Sequence, residues 1–276
     1  MRLFQPVGLC HNTRPEQEHI MTASQVEFLD VDGVEIAVRR QEGDTPGLVW
    51  LGGYKSDMLG TKAEALAEWA AGQGRAFIRH DYSGHGESGG EFADGTISKW
   101  LRESLAVFAR YTRGPQVLVG SSMGGWIALR MVQELLKAGE NRVRGLVLVA
   151  PAPDFTAELV EPEMTDTQRG ELASRGYFQI PSEYVDEPYI YTRALIEDGR
   201  DNLVMNGPID THCPVHILQG MRDESVPHAH ALRLVSLLPA DDVTLSLVPD
   251  GDHRLSRAQD IELLISAVNG MAARAG

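Results

Sequence analysis

Apolar positions along the chain first alternate with polar ones and then gather into short runs. The segments VEFLDVD (26–32) and VEIAVRR (34–40) are rich in β-branched residues, alternate in polarity and are separated by Gly33. That pattern predicts an antiparallel hairpin at the first edge of a sheet. Six runs follow: GLVWLGG (47–53), RAFIRHDY (75–82), PQVLVGSS (115–122), RVRGLVLVAP (142–151), VHILQG (215–220) and VTLSLVPD (243–250). Their near-continuous apolar character is that of parallel strands covered on both faces. Between them, TKAEALAEWAA, ISKWLRESLAVFARY, GGWIALRMVQELLKA, HALRLVSLL and a last segment ending near Met271 place apolar residues three and four apart, as helices do. The alternation predicts the α/β class, with a mostly parallel central sheet, an antiparallel N-terminal hairpin and helices on both faces.

Residues 153–210 break this rhythm. They carry several prolines, the aromatics Tyr177, Phe178, Tyr184, Tyr189 and Tyr191, and, between Asp154 and Asp201, 12 acidic against 4 basic residues. A structureless loop of that length is unusual inside a compact domain. The interval is therefore expected to be a helical lid inserted over one end of the sheet. With 276 residues, one α/β domain carrying an insertion accounts for the chain. Residues 1–23 are expected to be a loose extension and 24–276 a single domain with its lid at about 153–210.

Composition excludes some classes of function. Hydrophobic residues at 43% and charged ones at 23% are ordinary for a soluble globular protein. A net charge of -14 argues against nucleic acid as a partner, because phosphate binding needs clustered Lys and Arg. No apolar run approaches the ~20 residues that cross a bilayer, so no stable membrane insertion is expected. The first twenty residues lack the apolar stretch and small-residue cleavage site of a secretory signal, and Glu16, Glu18 and the scarcity of arginine depart from a mitochondrial one. Only Cys10 and Cys213 are present, which fits a reducing compartment without disulfides. The expected location is the cytoplasm, with the mitochondrion as the alternative.

The candidate chemistry centres on QVLVGSSMGGW (116–126). Gly120, Ser122 and Gly124 satisfy G-x-S-x-G between a strand and a helix, the setting in which a serine is held on a strained turn as a nucleophile. Ser121 is the competing hydroxyl but occupies the variable position. Glycines that merely let helix and strand pack closely are the bland alternative; the spacing is not G-x-G-x-x-G, and no lysine follows as in a P-loop. A serine needs a general base oriented by a carboxylate, in the chain order Ser, acid, His. His253 in VPDGDHRLS follows the last strand and is the expected base. Asp223 in LQGMRDESVP is the expected acid, with Glu224 and Asp154 as alternatives and Asp250 and Asp252 as turn residues.

Oxyanion donors are expected from the amides of Met123 and of Tyr54, with Gly53 allowing the backbone to approach. Gly53, Trp126, Tyr177 and Phe178 are the expected substrate-binding positions. DYSGHGES (81–88) is expected to form a tight turn beneath the site. Neither His80, Asp81 and His85 nor His212, Cys213 and His216 has a strong metal-ligand spacing, so no metal is expected, and this chemistry requires no cofactor.

Together GGYKSDMLGTKA, AFIRHDYSGHGES, GSSMGGW, GMRDESVP and DHRLS, with PDFT and IPSEY, resemble the α/β-hydrolase superfamily over roughly residues 25–270. More narrowly, they resemble the branch containing the mitochondrial acyl-glucuronide esterase and palmitoyl-protein thioesterase. The resemblance implies the α/β-hydrolase fold, a triad of Ser122, Asp223 and His253, and cleavage of carboxylic thioesters or esters, including S-acyl groups on proteins and small acyl conjugates. Another reaction on this fold, by a peptidase or a lyase, and a non-catalytic binding module are the alternatives. The expected partner is a small-molecule or acylated-protein substrate. The sequence sets no oligomeric state.

Overall fold

The structure, a computed structural model, describes residues 25–181, 188–238 and 242–276. The alternating segments form β1 (Val26–Val31) and β2 (Val34–Gln41), which pair antiparallel around Asp32 and Gly33, both at positive φ. The apolar runs become β3 (Asp44–Leu51), β4 (Arg75–His80), β5 (Gln116–Ser121) and β6 (Val143–Val149). Two short strands, β7 (Tyr177–Ile180) and β8 (Tyr189–Thr192), lie in the insertion, and β9 (Val215–Gly220) and β10 (Val243–Val248) complete the main sheet. Its order is β1-β2-β4-β3-β5-β6-β9-β10, antiparallel through β1, β2 and β4 and parallel elsewhere.

Burial follows strand position. All six residues of the central β5 are buried, whereas the edge strand β10 is half-buried to exposed throughout. Successive side chains of β5 serve two cores, because strand residues alternate in direction. Leu118 joins Trp100, Trp126 and Leu146 on the face covered by α2 (Ile97–Tyr111), α3 (Met123–Lys137) and α6 (His228–Leu237). Val117 and Val119 join Leu66 and Val268 on the face covered by α1 (Thr61–Gly72) and α7 (Ala258–Ala275).

The insertion is less helical than its length suggests. It holds a π-helical turn (Thr156–Val160), α4 (Asp166–Arg175), the antiparallel β7–β8 pair and α5 (Arg193–Asp201). A Thr165–Gln168 capping box opens α4, and Gly176 at φ 82 closes it. YFQI and YIYT then pair as strands because aromatic and β-branched residues suit a pleated surface that is covered on one side. Phe178 packs there with Met164 and Ile196 in a small core of the insertion's own. The N-terminal extension, Tyr184 and part of IPSEY lie outside the described residues.

Candidate active site

β5 ends at Ser121 and α3 begins at Met123, so Ser122 alone makes the turn. It adopts φ 54 and ψ -119, a conformation side chains normally avoid. Val149 O accepts its amide at 2.9 Å, and its own carbonyl accepts from Gly125 and Ala152 at 2.9 and 3.0 Å. The glycines are needed because backbones nearly touch: a Cβ on Gly120 would stand 2.4 Å from Gly124 O, and one on Gly124 2.1 Å from Leu51 O.

The loop after β10 carries His253 back to this turn. His253 Nε2 lies 3.0 Å from Ser122 Oγ, and its Nδ1 lies 2.8 Å from Asp223 Oδ2. The Asp223 carboxylate is fully buried and also accepts from Val226 N at 2.7 Å and Gln219 Nε2 at 3.1 Å. A carboxylate only accepts, so Nδ1 carries the proton and Nε2 turns its lone pair to the serine hydroxyl. This arrangement can take the serine proton as Oγ attacks a carbonyl carbon and return it to a leaving group.

The competing groups are engaged elsewhere. Ser121 is buried at the end of β5, and it is Ser122 that meets the imidazole. Asp154 accepts from Val204 N and Met205 N at 2.9 and 2.7 Å, pinning the far end of the insertion. Asp250 pairs with Arg257, and Asp252 accepts from Leu255 N in a turn. His80 and His85 are buried, which pushes each down to about 4. His216 bonds Ser246, and His230 the Pro153 carbonyl. Among the described residues no group of three or more His, Cys, Asp or Glu side chains could hold a metal ion.

A cavity of about 720 Å³ opens over Ser122. Gly53, Tyr54 and Met123 line it beside the serine, and a Cβ on Gly53 would stand in van der Waals contact with Ser122 Cβ at 3.4 Å. Among the described residues neither the Tyr54 nor the Met123 amide meets an acceptor. The insertion supplies a wall of Phe155, Leu159, Val160, Met164, Ile180, Tyr189 and Tyr191. Tyr54 ties the two together: its ring stacks on Tyr191 at 5.6 Å and on Tyr189 at 6.0 Å, and its hydroxyl donates to Ile190 O. Burial raises its pKa. Lys62 and Arg254 also line the cavity, Lys62 donating to the Arg254 carbonyl; burial first, then the Arg254 charge, pushes Lys62 down to about 8.

Three expected substrate contacts stand apart from this cavity. Trp126 is fully buried in the main core, its indole N–H donating to Asn202 O at 3.0 Å, because α3 turns that position inward, away from the elbow. Phe178 is spent on the insertion's own core, and Tyr177 lies beside the exposed Arg175 guanidinium. Ile180, Tyr189, Tyr191 and Phe155 reach the cavity instead. The two tyrosines were visible as an aromatic cluster, but which aromatics face inward depends on the β7–β8 register.

Residues 52–177 match the family model described as serine aminopeptidase, S33. That description names peptide chemistry, the alternative to the ester reading. The mitochondrial palmitoyl-protein thioesterase ABHD10 of Mus musculus is 36% identical over 86% of this chain and 78% of its own; the Homo sapiens protein of that name is 32% identical over 86% and 76%. The crystal structure of a protein from Agrobacterium vitis S4, assigned as a hydrolase, is 55% identical, covers 90% of this chain and 98% of its own and has a TM-score of 0.86. Mouse alpha/beta hydrolase domain-containing protein 10 is 33% identical over 92% and 100%, with a TM-score of 0.82.

The curated relatives are named mitochondrial, which overturns the cytoplasmic expectation in favour of its alternative. Cysteine usage could not separate the two, since a reducing matrix and a reducing cytosol make the same demand on thiols. The serine on its strained turn, the buried relay behind it and these likenesses agree on one conclusion: the chain belongs to the α/β-hydrolase family, as a serine hydrolase closely related to the ABHD10-type thioesterases.

Proposed function

We propose that the chain hydrolyses thioesters or esters of apolar acyl groups, including S-acyl groups on proteins and small acyl conjugates, through an acyl-enzyme on Ser122. The observation that carries this reading is the apolar wall of the insertion facing the serine across the cavity, a surface that would bury an acyl chain. Ser122 attacks the carbonyl, His253 moves the proton to the leaving group, and Asp223 keeps the imidazole in the required tautomer. The amides of Tyr54 and Met123 stabilise the oxyanion, their unmet N–H groups and the approach of Gly53 to Ser122 supporting that role. The ABHD10 likeness supports an S-acyl substrate and a mitochondrial setting.

Intact-protein mass spectrometry after a fluorophosphonate probe tests the nucleophile. One adduct is expected on the wild type and on Ser121→Ala, and none on Ser122→Ala; an adduct that survives Ser122→Ala refutes the assignment. Hydrolysis of 4-nitrophenyl esters and S-acyl peptides from two to sixteen carbons then tests the substrate class. Rising kcat/KM with chain length, until the cavity is filled, is expected.

Aminopeptidase activity is the second reading, favoured by the family model's description and by Asp57, Glu163 and Glu224 around the cavity, which suit a free amino terminus. Faster turnover of aminoacyl coumarin amides than of any ester would put it first.

A further inference from the structure

The turn DYSGHGES takes no part in moving the proton, yet its side chains grip the loop that follows β3. The Lys55 amide donates to His85 Nε2 at 3.1 Å, and the Met58 amide donates to Asp81 Oδ1 at 2.6 Å. Asp81 Oδ2 also accepts from Glu87 N at 2.8 Å within the turn. Gly86 is what lets the turn close on that carboxylate, since a Cβ there would stand 2.1 Å from Asp81 Oδ2. His85 Nδ1 lies 3.1 Å from the Ser83 carbonyl, an acceptor only. The proton therefore sits on Nδ1, and Nε2 offers its lone pair to the loop.

Burial supports the neutral form, pushing His85 down to about 4 although the Ser83 carbonyl pulls the other way. Tyr82, Phe92 and Trp100 surround the ring at centroid distances of 5.5, 5.0 and 5.3 Å and fix its plane. Lys55 sits at φ 58, a conformation a side-chain-bearing residue keeps only where surroundings impose it. The imidazole at its amide is one such restraint.

We propose that His85 is a positioning residue of the hydrolytic site, whose Nε2 fixes the Lys55 peptide and thereby aims the preceding Tyr54 amide at the oxyanion. The inference rests on the reading of Tyr54 N–H as an oxyanion donor. Hydrogen bonds weaken steeply with misalignment, and an oxyanion donor acts on charge that exists only in the transition state. A loop freed at Lys55 therefore costs kcat and spares KM.

Three variants test this. His85→Phe keeps the ring among its aromatic neighbours and removes the acceptor; His85→Gln places an amide oxygen near the site of Nε2; His85→Asn is polar but too short to reach. Each is measured for kcat and KM on 4-nitrophenyl butyrate, for inhibition by an alkyl trifluoromethyl ketone, which forms an oxyanion on the enzyme, and for thermal midpoint. His85→Phe and His85→Asn are expected to lose about 10- to 100-fold in kcat with KM within about twofold, to bind the ketone correspondingly less tightly, and His85→Gln to recover most of both.

Wild-type kcat and ketone affinity in a folded His85→Phe overturn the inference, as do equal losses in His85→Gln and His85→Asn. Should His85→Phe fail to fold, the Gln and Asn pair decides by itself. A wild type that neither turns over the ester nor accepts a fluorophosphonate removes the hydrolase reading and the inference with it, a result distinct from an active enzyme indifferent to His85.

Discussion

Asp223→Asn changes one atom and tests the relay directly. The Val226 amide, 2.7 Å from Oδ1, holds the oxygen of an asparagine in that place, so the new NH2 group replaces Oδ2. It then faces His253 Nδ1, 2.8 Å away, and Gln219 Nε2, 3.1 Å away. To accept from the asparagine, Nδ1 gives up its proton, and the imidazole takes the tautomer with hydrogen on Nε2. That tautomer cannot remove the serine proton. Gln219 does not relieve the conflict freely: its Oε1 is buried without a partner among the described residues, but turning it toward the introduced amide would make its NH2 abandon the Gly220 and Val226 carbonyls at 3.1 and 3.0 Å. The expected loss is about 10⁴-fold in kcat at nearly constant KM, or about 5 to 6 kcal/mol of transition-state stabilisation. Folding stability should fall by only about 1 to 3 kcal/mol, the cost of one ill-matched buried polar group. Steady-state hydrolysis of a 4-nitrophenyl ester, beside urea unfolding, measures both. A loss in kcat below tenfold in the folded variant would refute the assignment of tautomer control to Asp223.

Other consequences are as concrete. Gly124→Ala forces a Cβ against the Leu51 carbonyl and should destabilise by about 1 to 3 kcal/mol or more while abolishing turnover; Gly270→Ala, in helix α7 where a Cβ would meet none of the described residues within 4 Å, should stabilise by about 0.5 to 1 kcal/mol, and urea melts compare the two. Burial, and then the charge His85 would carry if it were protonated too, lowers His80 from 6.5 to about 4. Above pH 6.5 neither state is protonated and the group is silent, whereas between pH 6.5 and 4 the unfolded chain binds a proton the native state refuses, and about 3 kcal/mol is lost on acidification. His80→Gln should lose that much less between pH 7 and pH 4 than the wild type; Asp81, Glu103 and Asp154, raised by burial and so pulling the opposite way, are common to both proteins. Asp154→Ala leaves the Val204 and Met205 amides unmatched and should cost about 3 kcal/mol, with faster proteolysis of the insertion.

Much of this molecule is legible along the chain because its signals are local. Apolar runs mark strands covered on both faces, alternation marks the β1–β2 hairpin, and three- and four-residue spacing marks the helices, since each periodicity is fixed by the geometry of its own backbone. The elbow is legible for a related reason: Gly120, Ser122 and Gly124 belong to one turn, and the clash that selects Gly120 acts within it, at Gly124 O, although the one that selects Gly124 comes from Leu51 on β3. His253 and Asp223 follow from chain order once that turn is recognised, because parallel strands deliver their following loops to one end of the sheet.

What only the tertiary structure decided depends on how separate elements face one another. The four-residue strands of the insertion gain their stability from each other and from Met164 and Ile196, so neither segment announces itself. The choice of Ile180, Tyr189 and Tyr191 over Tyr177, Phe178 and Trp126 at the cavity turns on register and on the rotation of α3, which a list of aromatics does not contain. The grip of His85 on Lys55 joins residues 30 positions apart through a contact that exists only after β3 and β4 lie side by side. Short-range sterics and periodic burial, both written in the sequence, determine what each element is; packing determines which side chains share a space, because that is a property of pairs of surfaces.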